Sequence, residues 1–351
     1  MPERAQLWFR VDASRTIGAG HFMRCLSLAE RWQDEGGEVR FVGSYPDELA
    51  RRLAFEGIEH ARPGAFWPDP ADLEETLRLL PPGVPVVIDG YGFDAEYHER
   101  IGGSGRRVMV IDDIAHLSAY AGDLLLNFNI CAEKVAYERA PERRLLGPRY
   151  VPLRRGFAVV ERSVRSTPRT ATRLLVTLGG ADPTGATPRV LEALSGPALA
   201  GTTIRVVAGP ASSNRAELDR IAAESDGRFE LLSDVSDMPG LMAWADFAVS
   251  AAGGTSWELA FMGLPCGLIA VAENQIPNVE GLLAWGSAID LGTTEAAGDL
   301  APRVEAILGD SEARARMSER GRELIDGQGA ARVVAALKQP IAGLSHRPEG
   351  R

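Results

Sequence analysis

The sequence is poor in the residues that mark disulfide scaffolds, zinc domains and nucleic-acid-binding surfaces. Its three cysteines, Cys25, Cys131 and Cys266, are far apart and form no CxxC pair, so neither a disulfide framework nor a structural zinc site is expected. Only Lys134 and Lys338 among its 38 basic residues are lysines, and 48 acidic residues give a formal charge of −10. This balance argues against indiscriminate binding to nucleic acid.

Long apolar runs are also missing. No segment approaches the roughly 20 apolar residues that a membrane-spanning helix needs. Residues 1–10 carry polar side chains where a signal peptide would have its apolar stretch. A cytoplasmic protein without a membrane span is therefore expected. The 351 residues, 45% hydrophobic and 25% charged, suit a globular protein of two domains, since one domain typically takes about 100–200 residues.

Strand-like apolar runs alternate with helical patterns along most of the chain, which predicts parallel sheets with helices on both faces. A polar, arginine-rich stretch interrupts this pattern, and the pattern then restarts. The prediction is an N-terminal domain over residues 1–160, a linker over 161–172, a C-terminal domain over 173–340 and a polar tail over 341–351. Both domains are predicted to be Rossmann-like, doubly wound α/β domains. Because such sheets bind ligands beyond the carboxyl ends of their strands, an interdomain cleft is expected.

The individual strands are predicted from short apolar runs. The first is marked by the alternation of Leu7, Phe9 and Val11 with more polar neighbours. The others are predicted at Val39–Val42, Val86–Ile88, Val108–Ile111, Leu124–Leu126, Leu174–Leu178, Ile204–Ala208, Phe229–Leu232, Phe247–Ser250 and Leu268–Val271.

A glycine-containing turn, R-V-D-A-S-R-T-I-G-A-G-H-F-M-R, occupies residues 10–24 between the first strand and the first helix. It lacks the third small residue of a dinucleotide-binding fingerprint, because Met23 stands there. His21 lies at the predicted helix start, where the partial positive charge favours a neutral imidazole that can accept a proton. A capping or core role is the alternative for this histidine. The candidate ligand contacts of the turn are Asp12, Ser14, Gly18, Gly20 and Arg24.

Three of these contacts also have simpler interpretations. Asp12 and Ser14 are residue types that order loops or cap helices. Arg24 lies one helical turn beyond His21 and can either face the same site or pair with a surface carboxylate.

The segment from Ser250 to Gln275 holds a second glycine turn, followed by a helix and another strand. Free backbone N–H groups at the start of such a helix can hold a diphosphate, and Glu258, one turn into the helix, can accept both hydroxyls of a ribose. No P-loop sequence is present. Gly179 and Gly180 form a similar turn after an earlier strand. The nucleotide-binding candidates are Gly179, Gly180, Gly253, Gly254, Thr255, Glu258, Asn274 and Gln275.

These motifs resemble the PseG-like family of pseudaminic acid biosynthesis, the UDP-2,4-diacetamido-2,4,6-trideoxy-β-L-altropyranose hydrolases. That family is related to the GT-B glycosyltransferase that adds N-acetylglucosamine to lipid I, so the resemblance implies a GT-B-like fold. It covers nearly the whole chain. The segments that carry it are I-G-A-G-H-F-M-R-C-L, I-D-G-Y-G (Ile88–Gly92), I-D-D-I (Ile111–Ile114), L-L-L-N-F-N (Leu124–Asn129), L-L-G-P-R-Y (Leu145–Tyr150), L-G-G-A-D-P-T (Leu178–Thr184), Gly253–Gln275 and D-G-Q-G-A-A-R-V (Asp326–Val333).

The resemblance implies a metal-independent hydrolase that splits the anomeric C–O bond of a UDP-sugar and releases UDP and the free sugar. No cofactor is expected, and water is predicted to attack C1 with inversion. The family's catalytic histidine matches His21 and the tyrosine of its D-x-Y-G motif matches Tyr91. We expect Asp89 to assist them, although it can also be a simple turn residue. Phe128 replaces the glutamine that members carry between the two asparagines of L-N-x-N, which bears on the sugar more than on the reaction.

Other interpretations stay open at this stage. A GT-B glycosyltransferase would pass the sugar to an unknown acceptor, and a non-catalytic protein would only bind the nucleotide sugar. Asp112, Asp113 and His116 lie close enough in sequence for a metal site, but three ligands within five residues are a weak signal. The expected partner is a small-molecule nucleotide sugar, and no oligomeric state is predicted.

Overall fold

The computed structural model describes residues 4–14, 17–103, 105–162, 165–179, 182, 185–209, 214–233, 235–293 and 300–339. Contacts divide these residues into two compact units. The first contains the described residues up to Arg155 together with those from Gln328 onwards, and the second runs from Gly156 to Gly327.

Each unit is built on one parallel sheet. The first sheet has the strand order β3-β2-β1-β4-β5-β6-β7, and the second has the order β10-β9-β8-β11-β12-β13. The strands are β1 (Gln6–Val11), β2 (Glu38–Val42), β3 (Glu59–Ala61), β4 (Val86–Asp89), β5 (Val108–Ile111), β6 (Leu124–Asn127), β7 (Arg144–Leu146), β8 (Arg173–Thr177), β9 (Thr203–Val207), β10 (Phe229–Leu232), β11 (Phe247–Ala251), β12 (Cys266–Ala270) and β13 (Ala288–Thr293).

Helices connect most of the strands. The helices are α1 (Gly20–Asp34), α2 (Asp47–Phe55), α3 (Pro70–Leu79), α4 (Ala95–Gly102), α5 (Arg155–Ala158), α6 (Ala186–Leu194), α7 (Arg215–Ala223), α8 (Met238–Trp244), α9 (Gly254–Met262), α10 (Ile276–Trp285), α11 (Leu300–Gly309), α12 (Ser311–Leu324) and α13 (Gly329–Lys338). Among the residues that the structure describes, none of the helices is both long and apolar enough to cross a membrane.

The strand orders confirm the predicted fold class. Both units have the doubly wound arrangement of Rossmann-like domains, in which the order reverses between the first strand of the unit and its fourth. The reversal lies between β1 and β4 in the first sheet and between β8 and β11 in the second. Ligands of such sheets bind at the carboxyl edge near this reversal, so the loops that follow these four strands define where a site is expected.

The strand sequences explain why both sheets are parallel and covered by helices. All four residues of β4 (VVID), of β5 (VMVI) and of β6 (LLLN) are buried. Near-continuous burial of this kind is typical of strands packed on both faces. The sequence predicted β5 and β10 with their observed bounds and most other strands to within one or two residues. It missed β3, β7 and β13, and β3 reads Glu-His-Ala with no buried position.

The last helix belongs to the first unit. Gly329, at the start of α13, lies so close to Val151 that an added Cβ would come 2.0 Å from its carbonyl oxygen. At the other end of α13, Lys338 pairs with Glu35 at 2.6 Å, and Arg107 donates to the carbonyl of Leu337. Helix α13 therefore belongs to the first unit, whereas the strand and helix pattern of the sequence predicted one domain over residues 173–340.

A buried arginine ties β1 to the helices of the first unit. Arg10 is 1% exposed, and its guanidinium donates to Asp12 Oδ1 at 2.6 Å, to Asp72 Oδ2 at 2.6 Å and to the Tyr97 hydroxyl at 2.9 Å. Its Cζ also lies 4.5 Å from the centre of the Phe93 ring. A buried charge is tolerated only when it is paired and hydrogen bonded, and this network meets that condition where β1 approaches its carboxyl end.

His98 makes the stability of the first unit depend on pH. It lies on α4, is 1% exposed, and its Nδ1 has no hydrogen-bond partner among the described residues. Burial, with His116 adding to it, lowers the pKa of His98 to about 4. The unfolded chain therefore takes up a proton on this residue near its ordinary pKa of 6.5, while the folded chain does not, so stability falls as the pH drops from about 6.5 to 4.

We expect His98→Gln to flatten this dependence. Urea unfolding at pH 7 and pH 4.5 should show a free energy of unfolding that falls less in the variant, by about 2–3 kcal/mol, because each pKa unit corresponds to about 1.4 kcal/mol. His60→Gln, at an exposed position in β3, is the matched control and should leave the dependence unchanged. Equal acid sensitivity in wild type and His98→Gln would contradict the assignment.

Candidate functional site

The candidate site of the first unit begins with a histidine–carboxylate pair at the strand reversal. Asp89 is the last residue of β4 and is paired in register with Val11 of β1 and Ile111 of β5. His21 is the second residue of α1, which follows β1. The topology therefore brings together two residues that are 68 positions apart, and His21 Nδ1 lies 2.7 Å from Asp89 Oδ1.

Asp89 is an ionised acceptor despite its complete burial. Burial by itself would raise the pKa of this carboxyl, but the charge and hydrogen bonds of Arg24 and His21 outweigh it and hold the pKa well below its ordinary value. A carboxylate can only accept hydrogen bonds, so Nδ1 of His21 is the donor in this pair. In the neutral ring Nε2 is then the acceptor, and it is the atom that can take a proton from a substrate or from water.

Arg24 holds the carboxylate of this pair in place. It donates to Asp89 Oδ2 through Nε at 2.6 Å and to Asp89 Oδ1 through Nη2 at 2.7 Å, a two-pronged contact, and Nη1 donates to Asp113 Oδ2 at 2.7 Å. The approach of Nη2 to His21 Nδ1 at 3.0 Å joins two donors and is not a hydrogen bond in this tautomer. Arg24 thus pairs with two carboxylates, one of which is fully buried, and a contact of Arg24 with a ligand stays a prediction.

Tyr91 lies directly against the histidine. The rings of His21 and Tyr91 are perpendicular, with centres 4.9 Å apart, and the Tyr91 hydroxyl donates to Asp113 Oδ2 at 2.9 Å. Asn129 Nδ2 donates to Asp113 Oδ1 at 3.0 Å. The predicted residues His21, Asp89, Tyr91 and Arg24 are therefore one cluster, which we call the His21 cluster together with Asp113 and Asn129.

Sequence reasoning gave Asp113 no role beyond a weakly indicated metal site and named Asn129 only within a motif. A usable signal was present: each residue lies two positions after the end of a buried strand, β5 or β6, and these strands follow β4 in the sheet order. Asp112 instead binds His116, whose Nδ1 donates to it, and the backbone N–H groups of Ile114 and Ala115. Within the described part of the chain, no group of three or more histidine, cysteine, aspartate or glutamate side chains is arranged to hold a metal ion.

The other predicted residues of the first turn have local partners. Asp12 Oδ1 accepts from Arg10 and from the backbone N–H of Ser44. Ser14 Oγ accepts from the backbone N–H of Ile17 at 3.0 Å, and Gly18 closes the turn onto Ser14 with a φ of +79°, a backbone conformation that favours glycine. These contacts hold the described residues of the turn before α1, and ligand binding by Asp12, Ser14, Gly18 and Gly20 stays a prediction.

The second unit presents glycines after β8 and β11, which are neighbouring strands. Gly179 has a φ of +105°, whereas Gly180 lies outside the described residues. After β11, Gly253 is the N-cap of α9 and offers no side chain to the helix start. The exposed Gly254 and the half-buried Thr255 follow it. An uncapped N-terminus of this kind leaves backbone N–H donors and a partial positive charge for an anion.

Among the remaining nucleotide-binding candidates, Gln275 lies beside this helix start. Gln275 accepts from the backbone N–H of Val271 at 3.2 Å, and its Nε2 would lie 3.8 Å from a Cβ added to Gly253. Asn274 is exposed. Glu258 is 7% exposed on α9. The structure therefore brings Gln275 next to the α9 start, and nucleotide binding by these residues stays a prediction.

One part of the second motif is structural. Gly263 ends α9 with a φ of +60°, and a Cβ at this position would come 2.6 Å from Arg322 Cδ. Gly321 of α12 packs as closely, with a Cβ position 3.0 Å from the carbonyl oxygen of Ala260. The glycine of the G-x-P segment is thus required by the helix end and by the packing of α9 against α12.

Comparisons with known proteins agree with this architecture. No family model matches the chain. The chain is 30% identical to the spore coat polysaccharide biosynthesis protein SpsG of Bacillus subtilis over 205 residues, which are 58% of this chain and 60% of that protein. It is 25% identical to the uncharacterized protein MJ1062 of Methanocaldococcus jannaschii over 275 residues, 76% of this chain and 55% of that protein.

A third relative is an enzyme. The chain is 34% identical to the UDP-N-acetylglucosamine–N-acetylmuramyl-(pentapeptide) pyrophosphoryl-undecaprenol N-acetylglucosamine transferase of Halorhodospira halophila over 182 residues, 49% of this chain and 50% of that protein. The matches span between half and three fifths of the length of these relatives.

Solved structures show the same fold. The spinosyn rhamnosyltransferase SpnG complexed with thymidine diphosphate superposes with a TM-score of 0.67 at 18% identity, covering 95% of this chain and 100% of that one. MurG of Acinetobacter baumannii superposes with a TM-score of 0.62 at 14% identity, covering 95% and 99%. At these identities the likeness establishes the fold alone, which is GT-B-like as predicted.

We expect Asp89→Asn to change the tautomer of His21. An amide can donate as well as accept, so the constraint that keeps the proton on Nδ1 is lost, and ¹⁵N NMR of labelled histidine should report a larger Nε2–H population. Circular dichroism would check folding, because removing one partner of a buried ion pair typically costs about 3–5 kcal/mol. Asp12→Asn is the matched control, and an unchanged His21 spectrum in a folded Asp89→Asn protein would contradict the assignment.

Proposed function

We propose that this chain hydrolyses a UDP-activated 2,4-diacetamido-2,4,6-trideoxyhexose at its anomeric C–O bond and releases UDP and the free sugar. The step would belong to nonulosonic (pseudaminic) acid biosynthesis. The observation that carries the proposal is the His21–Asp89 pair, braced by Arg24, at the carboxyl edge of the first sheet. It supplies an acceptor nitrogen of defined tautomer at the place where doubly wound domains bind ligands.

In this mechanism, water attacks C1 of the sugar while Nε2 of His21 takes one of its protons. The C1–O bond breaks with its electron pair going to the β-phosphate oxygen of UDP, and attack on the face opposite the leaving group inverts C1. Asp89 keeps the imidazole oriented and stabilises the imidazolium that forms, as the carboxylate of a catalytic triad does. No metal or cofactor is invoked for any step.

The nucleotide would be held by the second unit. The diphosphate would lie at the start of α9, where backbone N–H groups and the helix dipole favour the charge that grows on the leaving group. Glu258 would accept the ribose hydroxyls, and Gln275 and Asn274 would contribute side-chain amides nearby. This assignment is supported by the uncapped helix start after β11 and by the position of Gln275 beside Gly253.

The relatives support a nucleotide-sugar substrate without choosing between water and another acceptor. The Halorhodospira relative is named as an N-acetylglucosamine transferase, and SpsG is named for polysaccharide biosynthesis. Proteins of one fold can differ in which nucleophile reaches the sugar, so a glycosyltransferase is the second candidate. Incubation with a panel of UDP- and CMP-sugars, followed by phosphorus NMR, separates the two: UDP release without an acceptor supports hydrolysis, and a strict need for an acceptor contradicts it.

His21→Asn should abolish most of the turnover. A general base typically contributes about 10²–10⁴-fold, so kcat for UDP release should fall on that scale, while the affinity for UDP, measured by calorimetry, stays within about twofold because α9 is unaltered. His60→Gln is the matched control at an exposed histidine. Equal losses of kcat and UDP affinity would assign His21 a structural role.

Glu258→Gln should weaken UDP binding. Replacing one buried charged acceptor by an amide removes a hydrogen bond to a charged group, which is typically worth about 1.5–3 kcal/mol, or about 10–100-fold in Kd. Calorimetry with UDP and with uridine separates the ribose contact from the diphosphate contact, since both ligands should be weakened alike. Glu273→Gln, at an exposed residue of the same segment, is the control, and unchanged affinity in Glu258→Gln would remove the ribose assignment.

A further inference from the structure

Asp113 is the point at which three side chains of the His21 cluster meet. Its Oδ2 accepts from Arg24 Nη1 at 2.7 Å and from the Tyr91 hydroxyl at 2.9 Å, and its Oδ1 accepts from Asn129 Nδ2 at 3.0 Å. The side chain is 10% exposed. Arg24 therefore lies between two carboxylates, Asp89 on the side of His21 and Asp113 on the side of Tyr91.

These contacts determine the direction of the Tyr91 hydroxyl. A hydroxyl has one proton to donate and two lone pairs to accept with. The Asp113 carboxylate, paired with Arg24, offers acceptors only, so it takes the proton of Tyr91. Toward any other group, the Tyr91 oxygen can act only as an acceptor.

The position of the Tyr91 ring has a separate cause. The ring is in edge contact with His21, at 4.9 Å between centres, and with His116, at 5.1 Å. His116 is itself held by Asp112. Asp113 thus controls the direction of the hydroxyl, while two histidines hold the ring, and the two effects can be separated by substitution.

We propose that Asp113 is a positioning residue for the reaction, and that it acts by making Tyr91 a hydrogen-bond acceptor for the attacking water. This inference rests on the proposed function. Nε2 of His21 and the oxygen of Tyr91 are then both acceptors, and water has two O–H groups to donate. With one donated to each, both lone pairs of the water oxygen stay available and one of them attacks C1, while the proton donated to His21 is the one transferred as the C1–O bond breaks.

Kinetics of Asp113→Asn, Tyr91→Phe and the double variant test the inference. In Asp113→Asn an N–H₂ group can donate to Tyr91 and reverse its hydroxyl, so the water loses one acceptor. Each single variant should lose kcat by up to about 10²-fold, the scale of a misplaced reactant, with unchanged affinity for UDP. Because both act through the same hydroxyl, the double variant should lose no more than Tyr91→Phe alone. Asp47→Asn, in an exposed ion pair with Arg62, is the matched control.

A second measurement does not depend on hydrolysis. Tyr91 faces His21, His116 and Asp113, and Arg24 lies beyond the carboxylate. Removing the one negative charge that receives its proton should allow Tyr91 to ionise at lower pH. Ultraviolet difference titration should therefore show one phenolate appearing earlier in Asp113→Asn than in wild type, and this difference should vanish when Tyr91→Phe is added.

The outcomes separate the two proposals. If wild type releases no UDP from any nucleotide sugar, the proposed function fails, and the titration still tests the contact between Asp113 and Tyr91. If wild type hydrolyses its substrate but the losses of the two single variants multiply in the double variant, Asp113 does not act through Tyr91 and the inference is overturned. A wild-type kcat in Asp113→Asn, or an unchanged titration, overturns it as well.

Discussion

The candidate site of the first unit depends on one constraint: the buried carboxylate at the end of β4 must have its charge stabilised by the protein. Asp89 is fully buried, and an isolated charge in that position would cost several kcal/mol or more. Its charge is retained because Arg24 meets both of its oxygens and His21 donates to one of them. The hydrogen bond that His21 donates to this charge also orients its imidazole and fixes the tautomer. The guanidinium that binds Asp89 also binds Asp113 through its third nitrogen. Orientation of the histidine is thus a consequence of how a buried charge is stabilised.

The two units present different groups at the same edge of the same kind of sheet. After β1, β4 and β5, the first unit presents ionisable side chains that are hydrogen bonded to one another, and Asn129 after β6 joins them through its amide. After β8 and β11, the second presents glycines and the start of a helix, so its potential donors are backbone groups. Side-chain pairs can hold and move a proton, whereas backbone donors at a helix start stabilise an anion without titrating. The proposed function assigns the base to the first set of groups and the leaving diphosphate to the second.

The apolar runs were enough to predict the fold class, because a parallel strand that is buried on both faces is a nearly unbroken run of apolar residues in the sequence. They were not enough for β3, where three polar or small residues pair at a sheet edge, or for α13, whose attachment to the first unit depends on contacts of Arg107 and Gly329 with residues far away in sequence. His21, Asp89 and Tyr91 were predicted as a group. The hydrogen bonds among them were not predicted. The partners of Arg24, and the different contacts of Asp112 and Asp113, depend on the direction in which each side chain points after its strand. Because Asp112 and Asp113 are adjacent and identical, the sequence does not show which of the two side chains faces Arg24.

Phe128 shows how the geometry changes the meaning of a sequence difference. As a departure from the resembling family at L-N-x-N, it was expected to affect the sugar. In the structure it is 5% exposed, and the Arg24 guanidinium lies 5.4 Å from the centre of its ring. An aromatic face beside a guanidinium attracts its positive charge. Phe128 therefore lies beside the guanidinium that binds Asp89 and Asp113, and its effect on the sugar stays a prediction.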